Sequence, residues 1–153
     1  NYLHVPLKSD EIEDKTVQRS LKQSSTELIS KIVQLLETNE KNLTSLKWEL
    51  KVYYDSNGNE DERKTLVRYC YIDYVAPDLL PLQGAVGTEI FKALDYNTTL
   101  KEFIAHGDNR TIYNVTNDEV LILARSLQKN KCLTSLDLEN NQITDVGALY
   151  LAK

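Results

Sequence analysis

The sequence predicts an α/β fold of helix-plus-strand units, with a parallel sheet inside, helices outside and an inserted β-hairpin. Three observations carry this expectation. An apolar-x-x-apolar-x-apolar pattern recurs as LTSLKW at 43–48, LKEFIA at 100–105 and LTSLDL at 133–138. Each copy follows the end of an amphipathic segment, QLLETNEKN, KALDYNTT and RSLQKNKC in turn. Between the first two copies runs a long alternating stretch that turns at Asn57-Gly58.

In chain order, residues 1–23 are charged and weakly patterned, and are expected to form an N-terminal capping or linker segment. SSTELISKIVQLLETN then reads as an amphipathic helix. Ser24 and Glu27 are placed for a capping box, and Leu28, Ile32, Leu35 and Leu36 lie along one side. Residues 24–50 form a first, degenerate unit.

Residues 51–83 interrupt the pattern. In SLKWELKVYY, the side chains Leu46, Trp48, Leu50, Val52 and Tyr54 share one face of a strand. DSNGNEDER is rich in turn formers, and TLVRYCYIDYV reads as a second strand. No helix-length segment separates the two strands, so a parallel crossover is hard to build and a hairpin is expected. The alternative is a helix-free unit starting at Val67, with Cys70 and Ile72 inward. Pro77 and Pro81 break the chain before the next helix.

Residues 84–153 hold two further units, the second stopping in mid-unit. VTNDEVLILAR overlays ITDVGALYLAK at an offset of 28 residues, from Val115 to Ile143. The offset from Leu100 to Leu133 is 33, which places extra residues around 109–113. A period near 28 belongs to helix–strand repeats. Leu94 precedes Asn97 by three residues and Leu127 precedes Asn130 by three; the first unit, with Leu36 and Asn39, has one extra residue before Leu43. A helix ending at an asparagine in left-handed geometry is the expected bend at each position.

The closing stretch resembles a leucine-rich repeat of the ribonuclease-inhibitor type, L-x-x-L-x-L-x-x-N-x-I followed by a helix. Leu133, Leu136, Leu138, Asn141 and Ile143 fall in place, then Gly147, Leu151 and Ala152. The copy at Leu100 is degraded, with Phe103 and Ala105 for leucines and Asp108 near the asparagine position. The copy at Leu43 keeps only the strand. The resemblance implies a curved solenoid in which neighbouring units bury each other, with Asn141 bonding backbone groups where the strand ends.

Composition narrows the function. The net charge of −5 argues against general nucleic-acid binding, and no apolar run approaches a membrane span. Cys70 and Cys132 lack metal-ligand spacing and sit in apolar runs, so buried thiols are expected in preference to a disulfide. That favours a reducing, cytoplasmic setting, which is the host cytoplasm in the case of a secreted effector. Sequons at Asn42, Asn97, Asn109 and Asn114 leave open a glycosylated extracellular receptor fragment.

No catalytic, metal or cofactor site is expected. In the acidic loop Asp55, Asn57, Asn59, Asp61 and Glu62, Gly58 falls at the fourth position and not the sixth that a calcium loop needs, so a solvated hairpin tip is preferred. GAVG at 84–87 lacks the lysine and glycine spacing of a phosphate loop. His106 stands alone, with no nucleophile motif, and Cys70 has no identifiable base.

What remains is the outward row of the strands. The first unit offers Ser45, Lys47 and Glu49, the second Glu102, Ile104 and His106, and the third Ser135, Asp137 and Glu139. Tyr69, Tyr71 and Asp73 extend the row if the hairpin joins in that register. An acidic face with aromatic residues fits protein recognition, through this concave face or the tyrosine-rich hairpin. The alternative is the substrate-recognition arm of a larger enzyme, of the ubiquitin-ligase effector type, whose catalytic domain is absent. Self-association through an uncapped C-terminal end is the other expected contact.

Overall fold

The computed structural model describes residues 2–4, 25–70, 72–76, 82–108 and 114–153. Within the expected capping segment 1–23, residues 2–4 form a strand and the rest lies outside these, as do the Ser24 cap, the breaks at Pro77 and Pro81 and the extra residues 109–113. In chain order the elements are β1 (Tyr2–His4), α1 (Ser25–Glu37), β2 (Ser45–Tyr54), β3 (Glu60–Tyr69), β4 (Ile72–Ala76), α2 (Gly84–Lys92), β5 (Glu102–His106), α3 (Asn117–Lys129), β6 (Ser135–Asp137) and α4 (Asp145–Leu151). No described helix is long and apolar enough to cross a membrane.

The strands form one sheet in the order β1-β4-β3-β2-β5-β6. Strands β2, β5 and β6 are parallel, with Leu46 beside Phe103 and Phe103 beside Leu136. The recurring pattern at 43, 100 and 133 therefore lies in a single register. Each of these strands follows a helix, which returns the chain for parallel pairing.

The other half of the sheet corrects the expectation of a parallel sheet. Strand β3 runs antiparallel to β2, β4 antiparallel to β3, and β1 antiparallel to β4. The reason is the short loop 55–59, which can close a hairpin but cannot cross over. Asp55 holds that loop: its Oδ1 accepts the backbone N–H groups of Asn57 at 2.8 Å and Asn59 at 2.9 Å. Gly58 supplies the left-handed residue, with φ of 80°.

The run TLVRYCYIDYV is also two strands and not one. Strand β3 ends at Tyr69, β4 begins at Ile72, and those two residues face each other across the ladder. The chain reverses between Tyr69 and Ile72, and Cys70 takes φ of 50°. A reversal without glycine or asparagine carries no turn signature in the sequence.

The core lies between the helices and one face of this sheet. Leu28, Ile32 and Leu36 of α1, Ile90 and Phe91 of α2 and Val120 and Leu123 of α3 meet Leu46, Trp48, Val67 and Phe103 of the sheet. Phe91 packs edge-on to Phe103 at 5.7 Å between ring centres, locking α2 to β5. Each fully buried large side chain contributes about 1.5–3 kcal/mol. Burial along β2 fades toward the hairpin tip: Leu50 is covered, whereas Tyr53 and Tyr54 are exposed.

Asparagine side chains tie one unit to the next. Only Asn39 of the three bend asparagines takes a positive φ, 55°, which corrects the expectation for Asn97 and Asn130. Those two act through their amides. Asn97 Nδ2 donates to Leu36 O at 2.8 Å, and Asn130 Nδ2 donates to Leu94 O at 2.7 Å, one unit back in each case. Their oxygens accept the N–H of Leu100 and of Leu133, both at 2.8 Å. A buried bend thereby has its backbone polar groups paired. Asn141 does the same where β6 ends, donating to Ala105 O at 2.6 Å and Leu138 O at 2.9 Å and accepting from Val115 N at 3.0 Å.

Candidate functional site

The sheet face turned away from the helices is the candidate site. Because side chains alternate along a strand, burying Leu46, Trp48 and Leu50 turns Ser45, Lys47 and Glu49 to the opposite face. The same alternation in β5 turns out Glu102, Ile104 and His106. Pairing then sets the rows. Ser45, Glu102 and Ser135 stand side by side, as do Lys47, Ile104 and Asp137, and Glu49 stands beside His106. Glu139 follows β6.

The hairpin extends the middle row with Asp73, as expected, and with Arg68 in place of Tyr69. Arg68 pairs with Lys47, and Asp73 pairs with Arg68, so the row runs Asp137, Ile104, Lys47, Arg68, Asp73. Tyr69 does not belong to it. It lies opposite Leu46, is buried, and stacks on Tyr74 with ring centres 4.6 Å apart. The reversal at Cys70 changes the parity, so Tyr69 and Asp73 face opposite sides. Tyr71 lies outside the described residues. Arg68 is the residue that sequence reading missed; its signal was alternation with Val67 and Tyr69, which puts it on the face opposite theirs.

Electrostatics across the face are paired in detail. Arg68 donates through Nε and Nη2 to the two oxygens of Asp73, the second bond being 2.7 Å. This fork raises the Arg68 pKa above its ordinary value, against a smaller opposing effect of burial. Lys47 and Lys51 flank Glu49 Oε2 at 3.4 and 3.8 Å. Ser45 Oγ donates to Glu102 Oε2 at 2.9 Å. His106 Nε2 lies 2.9 Å from Asp137 Oδ2. That contact, with the Glu139 N–H, holds the Asp137 carboxyl below the usual carboxylate range. His106, Asp137 and Glu139 bring one potential metal-ligand atom each within 4.8 Å of one another.

The face is therefore acidic over β5 and β6 and basic where β2 meets β3, with the half-buried Ile104 between. It offers side chains for contact and no described nucleophile–base pair. Cys70, which lines a pocket with Ser45, Arg68 and Glu102, and Cys132 are free thiols, and both are half-buried where full burial was expected. Burial pushes the Cys70 thiol up, with Glu40 adding to it. Of the sequons, Asn97 and Asn114 have buried side chains and Asn42 is exposed; Asn109 lies outside the described residues.

A family model described as Leucine Rich repeat matches residues 129–152. No curated protein matches the chain. Among solved structures, Leiomodin-1 Actin-Binding Site 2 (ABS2) is similar, with a TM-score of 0.52 and 18% identity, covering 81% of this chain and 53% of that one. This chain thus spans about half the length of that neighbour, and at such identity the likeness is one of fold. The matched stretch 129–152 takes in the end of α3, all of β6 and α4, and it carries a leucine-rich repeat.

Proposed function

We propose that the chain is part of a ribonuclease-inhibitor-type leucine-rich-repeat solenoid that binds a protein partner through the open sheet face, without catalysis of its own. The observation that carries this reading is the common register of β2, β5 and β6. It lines up Lys47, Glu49, Ile104, His106, Asp137 and Glu139 on one surface that no described helix covers. The basic strip at Lys47 and Arg68 beside an acidic one at Glu102, Asp137 and Glu139 gives that surface polarity, which favours one orientation of a partner. Domain limits at 24–50, 51–83 and 84–153 follow the same reading, with the β2–β3 hairpin as an insertion. Two unpaired thiols fit a reducing, cytoplasmic setting.

The test is capture with matched charge reversals. One variant carries Lys47→Glu with Asp137→Lys on the open face; the other carries Glu89→Lys with Lys92→Glu on α2, on the helix side. The reading expects the first to lose a partner that the wild type and the second retain. Equal retention by both variants would remove the open face from the interaction. Actin, which names the neighbouring fold, is a natural first purified protein to assay.

A further inference from the structure

One cluster on the open face brings an imidazole and two carboxylates together. His106 ends β5, Asp137 ends β6, and Glu139 follows two residues later. His106 Nε2 approaches Asp137 Oδ2 to 2.9 Å. The nitrogen is buried, and beyond this ion-pair contact it has no partner among the described residues. His106, Asp137 and Glu139 each place one ligand atom within 4.8 Å of the other two, close enough for one ion to bridge them. Donors at about 2.0–2.2 Å from a tetrahedral zinc stand roughly 3.3 Å apart.

The surroundings support coordination. Asp137 Oδ1 accepts the Glu139 N–H at 3.0 Å, which orients the carboxylate and leaves Oδ2 to the cluster. Glu139 is exposed, so an ion has a path from solvent. Across the ladder from His106 stands Glu49, whose buried Oε2 likewise has no hydrogen-bonded partner among the described residues and whose charge is met by Lys47 and Lys51.

We propose that His106, Asp137 and Glu139 form a binding site for a divalent transition-metal ion, with zinc as the ion that suits one imidazole and two carboxylates. Three protein ligands leave a position open to water or to a donor from a partner. The ion would join β5 to β6 on the open face. The site stands on these contacts alone and does not depend on the protein-binding reading.

The experiment is a calorimetric titration of the full chain with zinc chloride, repeated with cobalt(II), whose visible spectrum reports coordination number. One equivalent should bind with a Kd on the order of micromolar. His106→Gln and Glu139→Gln should each weaken it about tenfold or more, with unfolding in chelator unchanged from wild type. Should His106→Gln fail to fold, Glu139→Gln, on an exposed residue, supplies the reading. Magnesium, which demands an octahedral oxygen shell, should not displace the zinc. Absence of saturable binding overturns the proposal. So does binding that survives both variants, or binding lost instead in a Cys70→Ser, Cys132→Ser protein. Partner capture plays no part in this readout, so the two proposals fail separately.

Discussion

Replacing Asn130 by alanine tests the tie between units most directly. Its amide nitrogen donates to Leu94 O at 2.7 Å and Asn97 O at 3.1 Å, and its oxygen accepts from Cys132 N and Leu133 N, both at 2.8 Å. Alanine removes all four bonds, but they do not cost equally. Leu94 O keeps the Asn97 N–H at 3.2 Å, and the half-buried Cys132 leaves its N–H within reach of water. Asn97 O and Leu133 N lose their partner, at about 1–3 kcal/mol for each buried group left unpaired. With Leu133 half-buried its group sits at the low end of that range, so the expected loss is about 2–4 kcal/mol. For a domain of this size that lowers the melting temperature by roughly 5–15 °C. Urea unfolding followed by Trp48, which is the one tryptophan and is buried, gives the measurement. Asn130→Asp keeps the two accepted bonds and sets a carboxylate oxygen against two carbonyls, so it should be no more stable at neutral pH. Asn59→Ala, at the exposed hairpin tip, should change stability by less than about 0.5 kcal/mol. A loss below about 1 kcal/mol for Asn130→Ala would refute the reasoning, because the bend would then hold without the amide.

Two further outcomes follow from close approach and from charge. A Cβ at Gly107 would lie 2.3 Å from Asn140 O and 2.7 Å from Asn114 Oδ1, so Gly107→Ala must push the bend after β5 away from the end of β6. A loss of about 1–3 kcal/mol is expected in urea unfolding, and a neutral result would show that the bend can shift freely. Glu119 is buried, and burial by itself raises its pKa; bonds from Thr116 and from the Gly84 N–H at 2.9 Å outweigh this and leave it below the ordinary value of 4.5. A depressed folded-state pKa means that the stabilisation is complete above the unfolded value and is lost as pH falls through the folded one. Stability measured down through that acid range should fall less steeply in Glu119→Gln than in the wild type. Parallel curves would mean that the carboxylate is not the group responsible.

The sequence alone determined the parallel half of the sheet. Leu46, Phe103 and Leu136 occupy equivalent places in a recurring apolar pattern, and they are neighbours across β2, β5 and β6. That was legible because a period-2 strand behind a period-3.6 helix commits each residue to a face, and burial allows only one register. The outward residues Lys47, Ile104 and Asp137 followed by the same alternation. The hairpin was legible from Asn57-Gly58 and from the missing helix.

Tertiary structure decided what local patterns do not encode. The reversal at Cys70, which puts Asp73 on the face opposite Tyr69, depends on β4 finding β3 and has no turn residue to announce it. Asn97 and Asn130 look like helix stops in sequence, yet their amides reach carbonyls of the preceding unit, at separations of 61 and 36 residues. His106 and Asp137 meet only because β5 and β6 pair. Local spacing sets which face a side chain takes, because backbone geometry repeats every few residues. Which groups then touch is set by long-range packing, where buried polar atoms must find partners wherever the chain brings them.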